Sequence, residues 1–141
     1  MPHRVWLRAL VLTLVLAAAV PTLTTAPARA RTRAEARVGS FLTAYRRAVL
    51  GQGGNPRSVR AAYLTADLNR RLDAWARTHR LDPVFRTRTV PVRWSTRYEG
   101  SGAGHSFVIV TERLRGGGKR EVWYQVRLSS LVISDLEDPP S

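Results

Sequence analysis

The hydrophobic pattern of this chain changes its period at Asp82-Pro83, and that change limits the folds that the chain can adopt. Before the break, apolar residues recur at helical spacings; after it, they alternate with polar residues. Proline at position 83 also disfavours helix for the residue before it. A block of helices followed by a block of strands predicts an α+β fold, with the N-terminal helices packed on a curved, about four-stranded antiparallel sheet.

Three helices are predicted before the break. The first follows a polar, frayed start over residues 31–36 and ends near Gly51; its apolar face consists of Val38, Phe41, Leu42, Tyr45, Ala48 and Val49. The second begins at Asn55-Pro56, since asparagine is a good N-cap and proline suits the first helical position, and it runs to Leu64. The third has Thr65 as its N-cap and ends near His79 or Arg80.

Four strands are predicted after the break. The first covers Val90 to Tyr98 and ends at the glycine-rich turn of residues 100–102. The second is the apolar run Phe107 to Val110, and the third alternates from Val122 to Leu128 after a hairpin tip at residues 116–118. The last is Leu131 to Ile133, followed by an acidic tail over residues 135–141.

The first thirty residues are typical of a secretory signal peptide. Arg4 and Arg8 make a basic start, residues 9–20 form a short apolar run, and Ala28-Arg29-Ala30 provides a small-residue cleavage site. We expect removal after Ala30, a single domain over residues 31–141, and an extracellular or cell-wall location with no membrane span in the mature protein. The alternative is an uncleaved anchor, although the run is shorter than the roughly 20 residues that a span needs.

Composition excludes several classes of chemistry. The chain has no cysteine, so it can form no disulfide, thiolate metal site, thiol nucleophile or lipidated cysteine anchor. Its net charge is +13, which falls to +10 when Arg4, Arg8 and Arg29 leave with the signal. A bias towards arginine and alanine is what a GC-rich bacterial genome imposes, so part of this charge reflects codon usage. The positive charge of the mature protein nevertheless favours polyanionic partners.

Two segments carry a resemblance to a known superfamily. Residues 63–68 (YLTADL) and 131–136 (LVISDL), together with the order of helices and strands, resemble small exported bacterial members of the NTF2-like (cystatin-like) superfamily. The resemblance covers most of residues 35–137. It implies a curved sheet wrapped against helices around a conical pocket, in a fold shared by isomerases, dehydratases and non-catalytic binding modules.

No catalytic motif stands out. His79 and His105 lack the spacing of metal ligands, and no cofactor is expected. The carboxyl groups that could act as a general base are those of Asp67, Asp73, Glu99 and Glu112; we interpret each as structural, for example as a helix-start acid or the partner of a nearby arginine.

Strand parity predicts an outward-facing ligand surface. If the alternate apolar residues Val92, Trp94, Val122, Tyr124, Val126 and Leu128 pack on the helices, then Arg93, Arg97, Trp123, Gln125 and Arg127 point away from them. A tryptophan between arginines can stack on a sugar or polyanion; alternatively, Trp123 covers its own sheet beneath arginine stems. The predicted core or pocket wall comprises Tyr45, Tyr63, Trp75, Trp94 and His105.

These observations predict an exported, non-catalytic binding module for an anionic envelope polymer or a protein partner, rather than for nucleic acid. The first alternative is a pocket enzyme of the isomerase or dehydratase type, in which an acid or His105 acts on a small apolar substrate. The second is a purely structural or immunity-type partner protein. Homodimerisation is compatible with each of these functions.

Overall fold

The computed structural model describes residues 31–139, which form three helices followed by four strands. The helices are α1 (Arg33–Val49), α2 (Pro56–Tyr63) and α3 (Ala66–His79), and the strands are β1 (Arg93–Gly102), β2 (His105–Arg113), β3 (Lys119–Arg127) and β4 (Ile133–Glu137). The predicted α+β class is confirmed. The predicted signal peptide lies outside the described residues.

Each helix begins at a side-chain cap. Thr32 and Glu35 form a capping box on α1, Asn55 caps α2 with Pro56 at its start, and Thr65 caps α3. The prediction of a frayed start over residues 31–36 is therefore wrong, because the reciprocal hydrogen bonds of Thr32 and Glu35 order that turn. The α3 helix ends at Arg80 in the left-handed conformation, before the Asp82-Pro83 break.

The strands form one antiparallel sheet in the order β1-β2-β3-β4, which leaves β1 and β4 at the edges. Register irregularities at Tyr98/Gly100 and at Gln125/Val126 bend the sheet. Strand β1 continues through the glycines that were predicted to form a turn, and the chain reverses at Ala103-Gly104 instead. Residues 135–137, predicted to lie in the tail, belong to β4.

All three helices supply residues to one core against the inner face of the sheet, with α1 over β1 and β2 and α3 beside β4. The core comprises Val38, Phe41, Leu42, Tyr45, Leu64, Leu68, Leu72, Val108, Val110, Val122, Tyr124, Val126, Ile133 and Leu136, among others. The predicted burial of Val92 and Leu128 is wrong: they are 45% and 53% exposed, because Val92 precedes the first strand and Leu128 follows the third.

A segment between α3 and β1, residues 80–90, enters the space between helices and sheet, and we call it the plug segment. Its Val84 and Phe85 are fully buried in the core. Asp82 holds the turn: its Oδ1 accepts hydrogen bonds from the backbone amides of Val84 and Phe85 at 2.9 and 2.8 Å. The hydroxyl of Tyr45 donates to Asp82 Oδ2 at 3.0 Å, which ties the segment to α1.

Candidate binding surface

The inner face of the sheet carries a buried carboxyl group. Glu112 has no exposed surface, and its cross-strand neighbours are Trp94 on β1 and Arg120 on β3. Neither carboxyl oxygen has a hydrogen-bond partner among residues 31–139, and the same holds for the hydroxyl of the buried Tyr124. Burial raises the pKa of Glu112 from 4.5 to about 8, and the charge of Arg120 offsets this only in part. Glu112 is therefore mainly neutral at pH 7.

Arg120, the cross-strand neighbour of Glu112, belongs to an ion-pair cluster with Arg86 and Asp138. Arg86 NH1 donates to Asp138 Oδ2 at 2.9 Å, Arg120 pairs with the other oxygen of Asp138, and Arg86 NH2 donates to the carbonyl of Leu136. Burial would raise the pKa of Asp138, but the two guanidiniums together lower it. These bonds tie the plug segment and β3 to the chain just after β4. The side chains of Val84 and Phe85 fill the interior beside them.

The residues predicted as a pocket wall do not converge on one cavity. Tyr45 and Tyr63 both pack on Phe41, with ring centroids 5.6 Å away in each case. Trp75 stacks on His79 at 4.1 Å and carries the guanidinium of Arg86 on its ring. The remaining two lie elsewhere.

Trp94 and His105 occupy opposite ends of the sheet. Trp94 is near the start of β1, where it is half-buried and lines a surface groove described below. His105 begins β2, and its Nδ1 lies 2.9 Å from the carbonyl oxygen of Ala103. The predicted pocket is thus divided between the core, the α3 surface and two ends of the sheet.

The predicted outward residues share one face but form no single site. Arg93 lies opposite Arg113 and Arg127 lies opposite His105, at the two ends of the nine-residue β2. At about 3.3 Å per residue, these ends are roughly 25 Å apart. Arg97 pairs with Glu99, and Gln125 lies opposite Phe107. The residues that strand parity predicts as one ligand surface therefore lie at separate places along the outer face of the sheet.

Trp123 lies against its own sheet. Its cross-strand neighbours are Ile109 and Glu137. Ile109 is only 3% exposed although it belongs to the outer face and not to the main core. The indole Nε1 of Trp123 is also buried, and no residue of the described range accepts its hydrogen. This arrangement matches the alternative in which Trp123 covers the sheet, rather than the stacking platform.

One end of the outer face carries three cations in register. Arg93, Arg113 and Lys119 are direct cross-strand neighbours on β1, β2 and β3, and we call them the cationic row. None of the three forms an ion pair with another described residue. Like charges directly opposite each other disfavour the sheet, so this row concentrates positive charge. One acid, Glu121, lies on the same face two residues along β3, without an ion pair to the row.

A groove between α1 and β1 runs beside the cationic row. It has a volume of about 500 Å³, its helix side consists of small residues (Ala36, Gly39, Ser40, Thr43 and Ala44), and its polar ends are Arg31 and Arg47. Trp94 lines this groove and also a neighbouring hollow formed with Arg93, Ser95 and Arg113. The α1–β1 groove and the hollow beside Arg93 and Arg113 therefore adjoin at Trp94, at the edge of the sheet. Trp94 and Arg93 are among the site residues predicted from the sequence, whereas their neighbours Arg31, Arg47, Arg113 and Lys119 are not.

The other candidate acids have structural partners. Asp67 pairs with Arg70 and Arg71 at the start of α3, and Asp73 pairs with Arg60 of α2 at 2.6 Å. Glu99 pairs with Arg97, as noted. Across residues 31–139, no group of three or more histidine or acidic side chains is placed to hold a metal ion. Within that same range, no helix has both the length and the apolar character needed to cross a bilayer.

Comparisons with known proteins give one fold-level match. No family model and no curated protein matches the chain. A crystal structure of a protein of unknown function from Bacteroides thetaiotaomicron VPI-5482 is similar, with a TM-score of 0.56 and 18% identity over 74% of this chain and 88% of that one. At this identity the likeness concerns the fold alone, so the NTF2-like relationship remains a resemblance.

Proposed function

We propose that residues 31–141 form an exported, non-catalytic binding module that holds an anionic polymer of the cell envelope along the α1–β1 groove and the cationic row. The observation that carries this proposal is the set of arginines that line the groove and the neighbouring hollow around Trp94: Arg31, Arg47, Arg93 and Arg113. None of these four forms an ion pair within the described part of the chain.

The shape of the groove suits an extended chain. It follows α1, whose 17 residues span about 25 Å at 1.5 Å per residue. Small side chains on the helix leave room for a polymer backbone, while guanidiniums at the two ends can bind its phosphate or carboxylate groups in a bidentate manner. Trp94 supplies an aromatic face near the middle on which a sugar ring can stack. The filled interior supports surface binding over pocket chemistry.

The test is salt-dependent retention of residues 31–141 on immobilised polyphosphate and polyglutamate. We expect binding that weakens steeply with salt, since polyanion binding releases counterions. The double variant Arg93→Gln/Arg113→Gln should bind more weakly and reduce the salt slope by about 2, one for each lost contact. Its matched control, Arg77→Gln/Arg127→Gln, removes the same charge from exposed sites elsewhere. Equal weakening in both double variants would show that only net charge matters and would contradict the proposed site.

A pocket enzyme is the second candidate, and the observation that favours it is Glu112. A general acid needs a carboxyl group that is protonated at the working pH, and the raised pKa of Glu112 on the inner face of the sheet meets that condition. The test is a thermal-shift screen of small apolar compounds against the wild type and Glu112→Gln. A compound that stabilises the wild type and not the variant would favour the enzyme. A screen without such a compound would leave the binding module as the better function.

A further inference from the structure

A second cleft lies between α2 and α3 and has a volume of about 360 Å³. Its apolar lining, which we call its floor, consists of the buried Leu64 and the exposed Ala61 and Ala66. Its polar lining consists of Arg57, Arg60, Asn69, Arg70 and Asp73. We call it the α2–α3 cleft. It shares no residue with the groove or the cationic row.

A buried guanidinium is the unusual feature of this cleft. The side chain of Arg60 is only 6% exposed, and its NH2 donates to Asp73 at 2.6 Å. Its Nε and NH1 have no hydrogen-bond partner in residues 31–139, and Asn69 Oδ1 likewise has none. A buried cation with one partner and two unused donors is costly unless something further compensates its charge. Asp73 provides part of that compensation, and the hydrogen bond from Arg60 lowers its pKa. The buried carboxyl group of Asp82 also interacts with the charge of Arg60, although it forms no ion pair with it.

The remaining charges leave the cleft positive. Arg57 and Arg70 lie exposed at its rim; Arg57 has no ion-pair partner in the described range, and Arg70 pairs with the exposed Asp67. Three guanidiniums against the single carboxylate of Asp73 give the lining a net charge of +2. An anionic group can therefore be held between the rim arginines, while the small floor accepts a short apolar body. Pockets of this size take small organic molecules.

We propose that the α2–α3 cleft binds a small aliphatic carboxylate. The carboxylate lies between Arg57 and Arg70, where bidentate hydrogen bonds are available, and its alkyl chain packs on Ala61, Leu64 and Ala66. The buried Arg60 adds a fixed positive charge beneath the site. This site is separate from the polymer groove and does not depend on it.

The experiment is a titration of residues 31–141 with hexanoate, acetate and inorganic phosphate, followed by amide chemical shifts. Hexanoate should shift amides at residues 57–73, and acetate should bind about tenfold more weakly because it cannot cover the floor. Inorganic phosphate separates simple anion capture from recognition of a carboxylate with an apolar body. Equal affinity for all three probes, or hexanoate shifts that map elsewhere, would overturn the proposal.

Variants locate the site. Ala61→Leu fills the floor without changing charge and should weaken hexanoate binding about tenfold, whereas Ala62→Leu, on the same helix but outside the cleft, should leave it unchanged. Arg57→Gln/Arg70→Gln should also weaken binding, while retention on polyphosphate should change no more than in Arg77→Gln/Arg127→Gln. Hexanoate binding that survives both Ala61→Leu and the double arginine variant would refute the site.

Discussion

At the scale of single residues, Glu112 is the group whose chemistry depends most on its surroundings. In the unfolded chain its carboxyl ionises near pH 4.5, whereas in the folded protein burial raises its pKa to about 8. Between those values the folded state binds more protons than the unfolded state, so the free energy of unfolding falls as pH rises through this window. The raised pKa of Asp82, caused by its burial, acts in the same direction.

The substitution Glu112→Gln keeps the shape of the side chain and removes its titration. We expect the wild type to lose on the order of 2–4 kcal/mol of stability between pH 5 and 9, and the variant to lose much less. Urea unfolding at several pH values measures the free energy of unfolding of the wild type and of the variant. Glu121→Gln is the control, because Glu121 is exposed on the outer face of the same sheet. A wild-type stability that is flat over this range, or identical pH profiles for wild type and Glu112→Gln, would contradict the buried neutral carboxyl.

At the scale of elements, the plug segment begins and bends at residues in the left-handed backbone region. Arg80 has φ of 53° and Arg86 has φ of 54°, a conformation that glycine adopts without strain. Arg86 is tied to Asp138 and Trp75, whereas Arg80 is exposed and forms no ion pair with a described residue. Arg80 is therefore the position where glycine should improve the end of α3.

We expect Arg80→Gly to raise the free energy of unfolding by about 0.5–1 kcal/mol, because glycine at this helix end removes the strain of a side chain. Arg77→Gly is the matched comparison: Arg77 lies in the last turn of α3, where the backbone is helical, so removing the same exposed side chain there should lower stability by about 0.5–1 kcal/mol. Chemical denaturation of the wild type and the two variants measures the free energy of unfolding of each protein. The same sign of effect at both positions would rule out the backbone explanation.

Sequence periodicity predicts the elements well but not what lies between them. The apolar faces of α1 and α3 and the alternation of β3 follow from spacing alone, and the burial of Val122, Tyr124 and Val126 agrees. The plug segment has no period, so the burial of Val84 and Phe85 depends on tertiary contacts that no local pattern contains. Thr32 and Glu35 are a different case, since the spacing that a capping box requires is visible in the sequence itself.

The candidate sites are harder to predict from the sequence than the helices and strands. They depend on the strand register, which decides which residues lie side by side. Parity correctly gives the face of Arg93 and Arg127, but only the pairing of strands shows that they lie at opposite ends. Arg113 and Lys119 join Arg93 solely through cross-strand pairing. The α2–α3 cleft likewise depends on the packing of two helices, and the residues that line it look like ordinary helix-surface residues in the sequence.

At the scale of the whole molecule, the cationic row opposes stability, whereas in the proposed function it contributes to binding. Lys119→Glu would place an acid directly opposite Arg113 and should stabilise the sheet by about 0.2–1 kcal/mol at low salt. The same change should weaken retention on polyphosphate. Thermal unfolding and polymer binding of one variant measure both effects, and Lys119→Gln separates loss of repulsion from new attraction. A variant that binds polyphosphate as well as the wild type would exclude the row from the binding surface.

The capping box of α1 has a consequence beyond the helix. Besides accepting from the backbone of Thr32, Glu35 accepts the backbone amide hydrogen of Tyr98 at 3.1 Å. Strand β1 is ten residues long and lies at the edge of the sheet, where unpaired amides could template the addition of another chain. Glu35 therefore occupies one of these amides beside the irregularity at Tyr98/Gly100, so that amide is not available for edge-to-edge pairing with a second chain.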